Sequence, residues 1–153
     1  MRKYILETIY EWSKKPYQKW FKSQSPWDIS VQTLLKYSHE SLGFHLGCFL
    51  LQYDFSPQPK LENHDVFHVL TGIGISVPEE IAMQYYLLGN GKRSLYLLSV
   101  IVIGSICYPD KFKLFKKAYQ TGKTAYPFHQ LDYKKLLQQP VQTLKTTFLI
   151  SSL

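Results

Sequence analysis

Between Leu61 and Leu88 the chain carries two apolar-periodic segments, separated by Gly72-Ile-Gly74 and restarted by Ser76-Val-Pro-Glu79. No other feature constrains the fold as tightly. Paired glycines stop a helix, and Ser followed three residues later by Glu, with proline in the first turn, starts the next. The spacing predicts a short helix around Leu61–Leu70, a turn, and a second helix to Leu88 that stops at Gly89-Asn90-Gly91. Two helices joined this way can fold back on each other.

The first of these helices holds His64-Asp65-Val-Phe-His68. At about 100° per residue, Asp65 and His68 lie roughly 100° and 40° from His64, within one sector. Phe67 and Leu70 point the other way, into a core. Two imidazoles at i, i+4 with a carboxylate between them form a natural metal-ligand set. Asp stands where zinc proteases carry Glu, which shortens the reach of a general base and argues against a protease.

Glu80 follows His68 after eleven residues. Glu79 occupies the capping-box position, which leaves Glu80 free to face the histidines. Thr71 and Gln84 fall where they can orient ligands. The bland alternative is a hydrogen-bonded pair of structural histidines. The preferred reading takes His64, Asp65, His68 and Glu80 as both metal ligands and catalytic residues. Such donors suit Zn²⁺, Fe²⁺ or Mn²⁺ without deciding among them. His39, His45 and His129 lack this phasing and are read as structural.

Charge is unevenly spread. Residues 1–22 carry net +4, residues 23–91 net −5 and residues 92–153 net +8. Chance placement of solvated charges explains this as simply as function does. The sharper reading gives the acidic middle a cation and the basic flanks an anionic surface. No nucleic-acid recognition motif accompanies the charge, so nucleic acid is not an expected partner.

The remaining chain reads as helices without strand alternation. Ile5, Ile9 and Trp12, with Leu6, mark a first helix. Asp28 or Ser30 starts a second running towards Leu51, with Gly43 and Gly47 as either a break or a close packing point. Ser94–Cys107, apolar on nearly all sides, is expected to be the central buried helix. Pro109-Asp110 opens a lysine-rich helix ended by Gly122. Short helices follow at Asp132–Leu137 and Val141–Ile150, split by Pro140. With 45% apolar and 19% charged residues over 153 positions, the expectation is an all-α fold in one domain, residues 1–153. Cys48 and Cys107 are expected to be small buried hydrophobes. Neither a secretory signal nor a spanning helix is expected, because the longest uncharged run, Ser94–Pro109, is shorter than the ~20 residues needed.

The string His64-Asp-Val-Phe-His68-Val-Leu-Thr-Gly72, then Glu80-Ile-Ala, resembles the coenzyme Q four family of ubiquinone-biosynthesis proteins, whose hallmark is His-Asp-x-x-His, eleven residues, then Glu. Ala118-Tyr-Gln-Thr-Gly122-Lys-Thr-Ala-Tyr-Pro127-Phe is similar to a further family region. The likeness covers about residues 61–150, and residues 1–60 match loosely. Phe67 stands where the family usually has Trp. The resemblance implies an all-helical protein on the inner face of a membrane, with an isoprenoid chain in an apolar tunnel. It implies a divalent metal at the motif, zinc first, with iron or manganese as alternatives. It implies a part in replacing the C1 carboxyl of a prenylated ring precursor by hydroxyl, alongside other quinone-biosynthesis proteins, and leaves a homodimer open.

The basic aromatic segments Trp12–Lys22 and Lys111–Lys117 resemble interfacial elements, with an ordinary solvated helix face as the alternative. Two other functions stay open. One is a non-catalytic prenyl-lipid scaffold with a structural metal. The other is an HD-type metal-dependent phosphohydrolase, which requires His39 or His45 and Asp110 or Asp132 at the same metal.

Overall fold

Four serines set four helix starts. In the computed structural model, which describes residues 26–153 except Lys60, Ser30 accepts the Thr33 N–H at the start of α1 (Val31–Leu34). Ser41 accepts the Phe44 N–H at the start of α2 (Leu42–Gln52). Helix α3 (Glu62–Thr71) follows without a side-chain cap, and the Ser76 capping box opens α4 (Val77–Gly89). Ser94 caps α5 (Leu95–Cys107). A 3-10 turn, Pro109–Lys111, leads into α6 (Phe112–Thr124). A second 3-10 turn, Tyr133–Leu136, precedes α7 (Val141–Thr147). Among the described residues the fold is all-α, with one isolated β-bridge, Ser41 to Pro140. The expected helix over Ile5–Trp12 lies outside the described residues.

Two expectations are corrected locally. The segment expected as one helix towards Leu51 is divided, because Ser41 starts a fresh helix after a turn at residues 35–37. Gly43 and Gly47 are packing points inside α2, where side chains would press on Tyr37 and on Leu34. Gly122 does not end α6, which continues to Thr124. A Cβ at Gly122 would collide with the Tyr86 carbonyl, and one at Gly89 with the Tyr119 carbonyl. These glycines let α4 and α6 meet backbone to backbone.

The larger correction concerns the centre of the molecule. Helix α4 occupies it: Ala82, Met83, Tyr86 and Leu87 are each 0% exposed. Helix α5, expected there, lies at the edge. Only Leu97 and Gly104 of α5 are buried, and Gly104 rests on Ile81 of α4. Leu95, Leu98, Val102 and Ile106 face outward. An apolar residue at every position removes the periodicity that would have shown which side turns inward. Cys48 and Cys107 are free and half-buried rather than fully buried.

The chain end returns to the site. Leu153 N–H donates to the Thr71 carbonyl, and the Tyr86 hydroxyl donates to the Ser151 carbonyl at 3.0 Å. Among the described residues no single helix is long and apolar enough to cross a membrane. Helix α5 and the Pro109–Thr124 segment have that length and composition together, but they bend by 104°.

Candidate metal centre

Helix α3 is anchored by Val66, Phe67 and Leu70, and Phe67 meets Phe128 and Tyr133 edge-on. That anchoring leaves His64 and His68 on its other edge. Gly72 caps the helix with φ +67°, a conformation that glycine adopts freely. The chain then turns sharply enough for the His68 Nδ1–H to donate to the Ile73 carbonyl at 2.8 Å. With Nδ1 committed, Nε2 is the His68 nitrogen left to exchange a proton or bind a metal.

The other half comes from α4. Glu79 accepts the Ser76 N–H at 3.0 Å and the Ser76 hydroxyl, closing the capping box. Glu80, one residue on, is thereby aimed at α3. Its Oε2 lies 3.0 Å from His64 Nε2 and its Oε1 lies 3.2 Å from His68 Nε2. The two Nε2 atoms are 3.1 Å apart. One ligand atom from each of His64, His68 and Glu80 falls within 4.8 Å of the others. Donors bound about 2.1 Å from a common ion sit about 3.0–3.4 Å from one another. These three donors fit a divalent metal in spacing and in chemistry.

The electrostatics agree. Burial works to raise the Glu80 carboxyl, but the charge of His64 and hydrogen bonds from both imidazoles outweigh it and bring the pKa down to about 2. Burial works to lower His68, yet the Glu80 hydrogen bond and charge, helped by the Ile73 carbonyl, raise it above its ordinary value. A metal ion would take the place of the proton these groups share.

Asp65 adjoins the converging trio rather than joining it. Burial pushes its carboxyl up to about 6, against the opposing charges of His64 and His68. Thr71 bonds backbone instead of the histidines: its hydroxyl donates to the Phe67 carbonyl at 2.7 Å and accepts the Ile73 N–H at 3.4 Å. It holds the turn. Gln84 is buried one helical turn beyond Glu80. The residues a phosphohydrolase would need are elsewhere. His39 and His45 are exposed, His39 against Phe44, while Asp132 pairs with Lys135. Asp110 lies near Lys111, and none of the four belongs to the trio.

Sequence reasoning missed the wall of the site. Phe49 of α2 stacks on the His68 ring, with centroids 5.3 Å apart and planes at 13°. Tyr53 and Phe55 extend this cluster, packing on Phe49 at 5.1 and 6.5 Å. The i, i+4 spacing of Phe49 and Tyr53 was its only local signal. Buried Glu62 accepts the Trp27 N–H at 2.9 Å, a pairing no local pattern announces. Asn90 was also missed beyond its part in a helix stop. Its amide donates to the Tyr126 carbonyl at 3.0 Å, and its oxygen accepts the Phe128 N–H at 3.0 Å and lies 3.1 Å from His129 Nδ1.

Comparison with curated individual proteins finds no match. Residues 52–153 match the family described as coenzyme Q (ubiquinone) biosynthesis protein Coq4, a span that holds the whole trio, its turn and the Asn90 network. The chain belongs to the Coq4 family and has a role in ubiquinone biosynthesis.

Proposed function

We propose that the chain is a metal-dependent protein that binds a prenylated quinone precursor and acts in replacing the ring C1 carboxyl by hydroxyl, with dioxygen as the two-electron oxidant: ring carboxylic acid, O₂ and water give ring hydroxyl, CO₂ and hydrogen peroxide. The convergence of His64, His68 and Glu80 on one point carries this reading. Two imidazoles and one carboxylate leave coordination positions open. A bound metal would supply Lewis-acid or redox chemistry at the ring carboxyl. Zinc is the first candidate, with iron or manganese as alternatives.

The protein's own residues do the rest. His68 is held in register by the Ile73 carbonyl and by Phe49 stacked on its face. Asp65, whose carboxyl burial holds near 6, is the group proposed to give or take a proton beside the ring. The aromatic cluster of Phe49, Tyr53 and Phe55 offers an apolar side to the site. The isoprenoid tail occupies an apolar tunnel, and the protein works at the inner face of a membrane with other quinone-biosynthesis proteins.

Native mass spectrometry with elemental analysis tests the metal and any co-purifying isoprenoid together. Turnover of a prenylated aromatic acid in the presence of dioxygen tests the chemistry, with zinc, iron or manganese restored after chelation. Activity should vanish with the metal and in His64→Ala. Full activity in stripped protein would overturn the enzyme. A metal that raises thermal stability while no metal supports turnover would instead establish the scaffold reading.

A further inference from the structure

Helix α5 has the composition of a core helix and the position of a surface one. Leu95, Leu98, Val102 and Ile106 are 76%, 44%, 58% and 75% exposed. Their spacing of three, four and four residues aligns them in one stripe about 17 Å long. No charged residue interrupts α5. Cations bracket it: exposed Arg93, whose guanidinium donates to the Leu88 and Lys92 carbonyls, comes just before, and Lys111, 3.8 Å from Asp110, and Lys113 come just after, with exposed Phe112 between the last two, while Lys92 lies over the Phe67 ring.

We infer that this face of α5 is the surface by which the protein enters the interface of a membrane containing anionic lipid. The proposal rests on the reading above that the substrate is a membrane-held prenyl lipid, and it supplies the contact. An apolar stripe with basic ends suits acyl chains beneath and anionic headgroups around. Two other occupants fit the charges poorly. In a two-fold pairing of two copies through this stripe, the basic ends would meet basic ends, which is repulsive. The chain's own residues 1–22 carry net +4 and would bring like charge to the same rim.

The position also links to the metal centre. Gly104, on the inner side of α5, rests on Ile81, the residue after Glu80. Packed helices lie about 8–10 Å apart, so the docked face is one helix layer from the trio. A substrate held by its tail in the bilayer would have a short path to the site.

Flotation of the full chain with phosphatidylcholine vesicles, with and without phosphatidylglycerol, tests the inference. Binding should require phosphatidylglycerol and weaken with salt. Val102→Asp with Ile106→Asp should lower partitioning at least about tenfold, with the melting temperature unchanged, because both side chains are exposed. The milder pair Val102→Ser and Ile106→Ser should show the same direction if the acidic pair folds poorly. Lys111→Gln with Lys113→Gln should lower partitioning about twenty-fivefold, each cation contributing about fivefold.

Equal binding by the apolar-face variants would overturn the inference. So would a monomer–dimer equilibrium that they abolish, which would assign the face to a second copy. A large fall in the melting temperature of the serine pair would assign it to the chain's own residues. Wild-type protein that ignores vesicles but turns over detergent-solubilised substrate would overturn this surface and leave the proposed function standing. Vesicle binding through α5 without turnover under any metal would do the reverse.

Discussion

Replacing Glu80 by Gln keeps the shape of the side chain and removes the charge that both imidazoles share. In chelated protein the stabilisation has a defined pH window. The Glu80 carboxyl is held at about 2 against an ordinary 4.5, so its contribution is complete above pH 4.5 and is lost as pH falls towards 2. His68 is raised above 6.5, so its contribution is complete below pH 6.5 and is lost as pH rises through the raised value. The pairing is therefore strongest at about pH 5.5.

Lowering a carboxyl from 4.5 to about 2 corresponds to about 3 kcal/mol. Glu80 is 30% exposed, and solvent screening brings the expected loss to about 2 kcal/mol. For a chain of this length that is about 4–8 °C in melting temperature. Calorimetry of parent and Glu80→Gln from acid to neutral pH, in chelator, should give curves that separate most near pH 5.5 and converge towards pH 2. Zinc should then raise the melting temperature of the parent and not of the variant. Superimposable curves in chelator, or equal stabilisation by zinc, would refute the geometry described for this trio.

Three further outcomes follow from the packing. Gly122→Ala should destabilise by about 3 kcal/mol or more, because its methyl group would strike the backbone carbonyl of Tyr86, and urea midpoints measure this. Asn90→Ala should cost about 3 kcal/mol by denaturant unfolding, since it strands the Phe128 N–H and the Tyr126 carbonyl. Phe49→Leu should weaken metal binding about tenfold in a competitive chelator titration while changing stability little, because it removes the surface that orients His68.

Local chemistry made the site readable and left much of the fold unreadable. The turn glycines, the capping box and the i, i+4 histidines act within a few residues of one another. They separated Glu79 from Glu80 and named His64, His68 and Glu80 together with Asp65, which lies beside the three that converge. What escaped depends on contacts far apart in the chain. Phe49 reaches His68 across 19 positions, and Asn90 reaches Phe128 across 38. Gly122 reads as a stop because glycine has two uses, and only the approach of Tyr86 distinguishes them. Helix α5 was misplaced for a related reason. Uniform apolarity gives no direction, so whether protein or another medium covers it depends on α4 having taken the centre.

The bond from His68 to the Ile73 carbonyl makes the backbone a chooser of tautomer. A main-chain oxygen, presented by the left-handed turn at Gly72, decides which imidazole nitrogen holds the hydrogen and which offers a lone pair. The fitness of His64, His68 and Glu80 for a metal is thus set partly at a position outside the trio. A side chain at position 72 would strain that turn and move the Ile73 carbonyl while leaving His64, His68 and Glu80 in the sequence. Nitrogen NMR of the His68 ring would reveal that movement as a change in proton location, with all three residues of the trio intact.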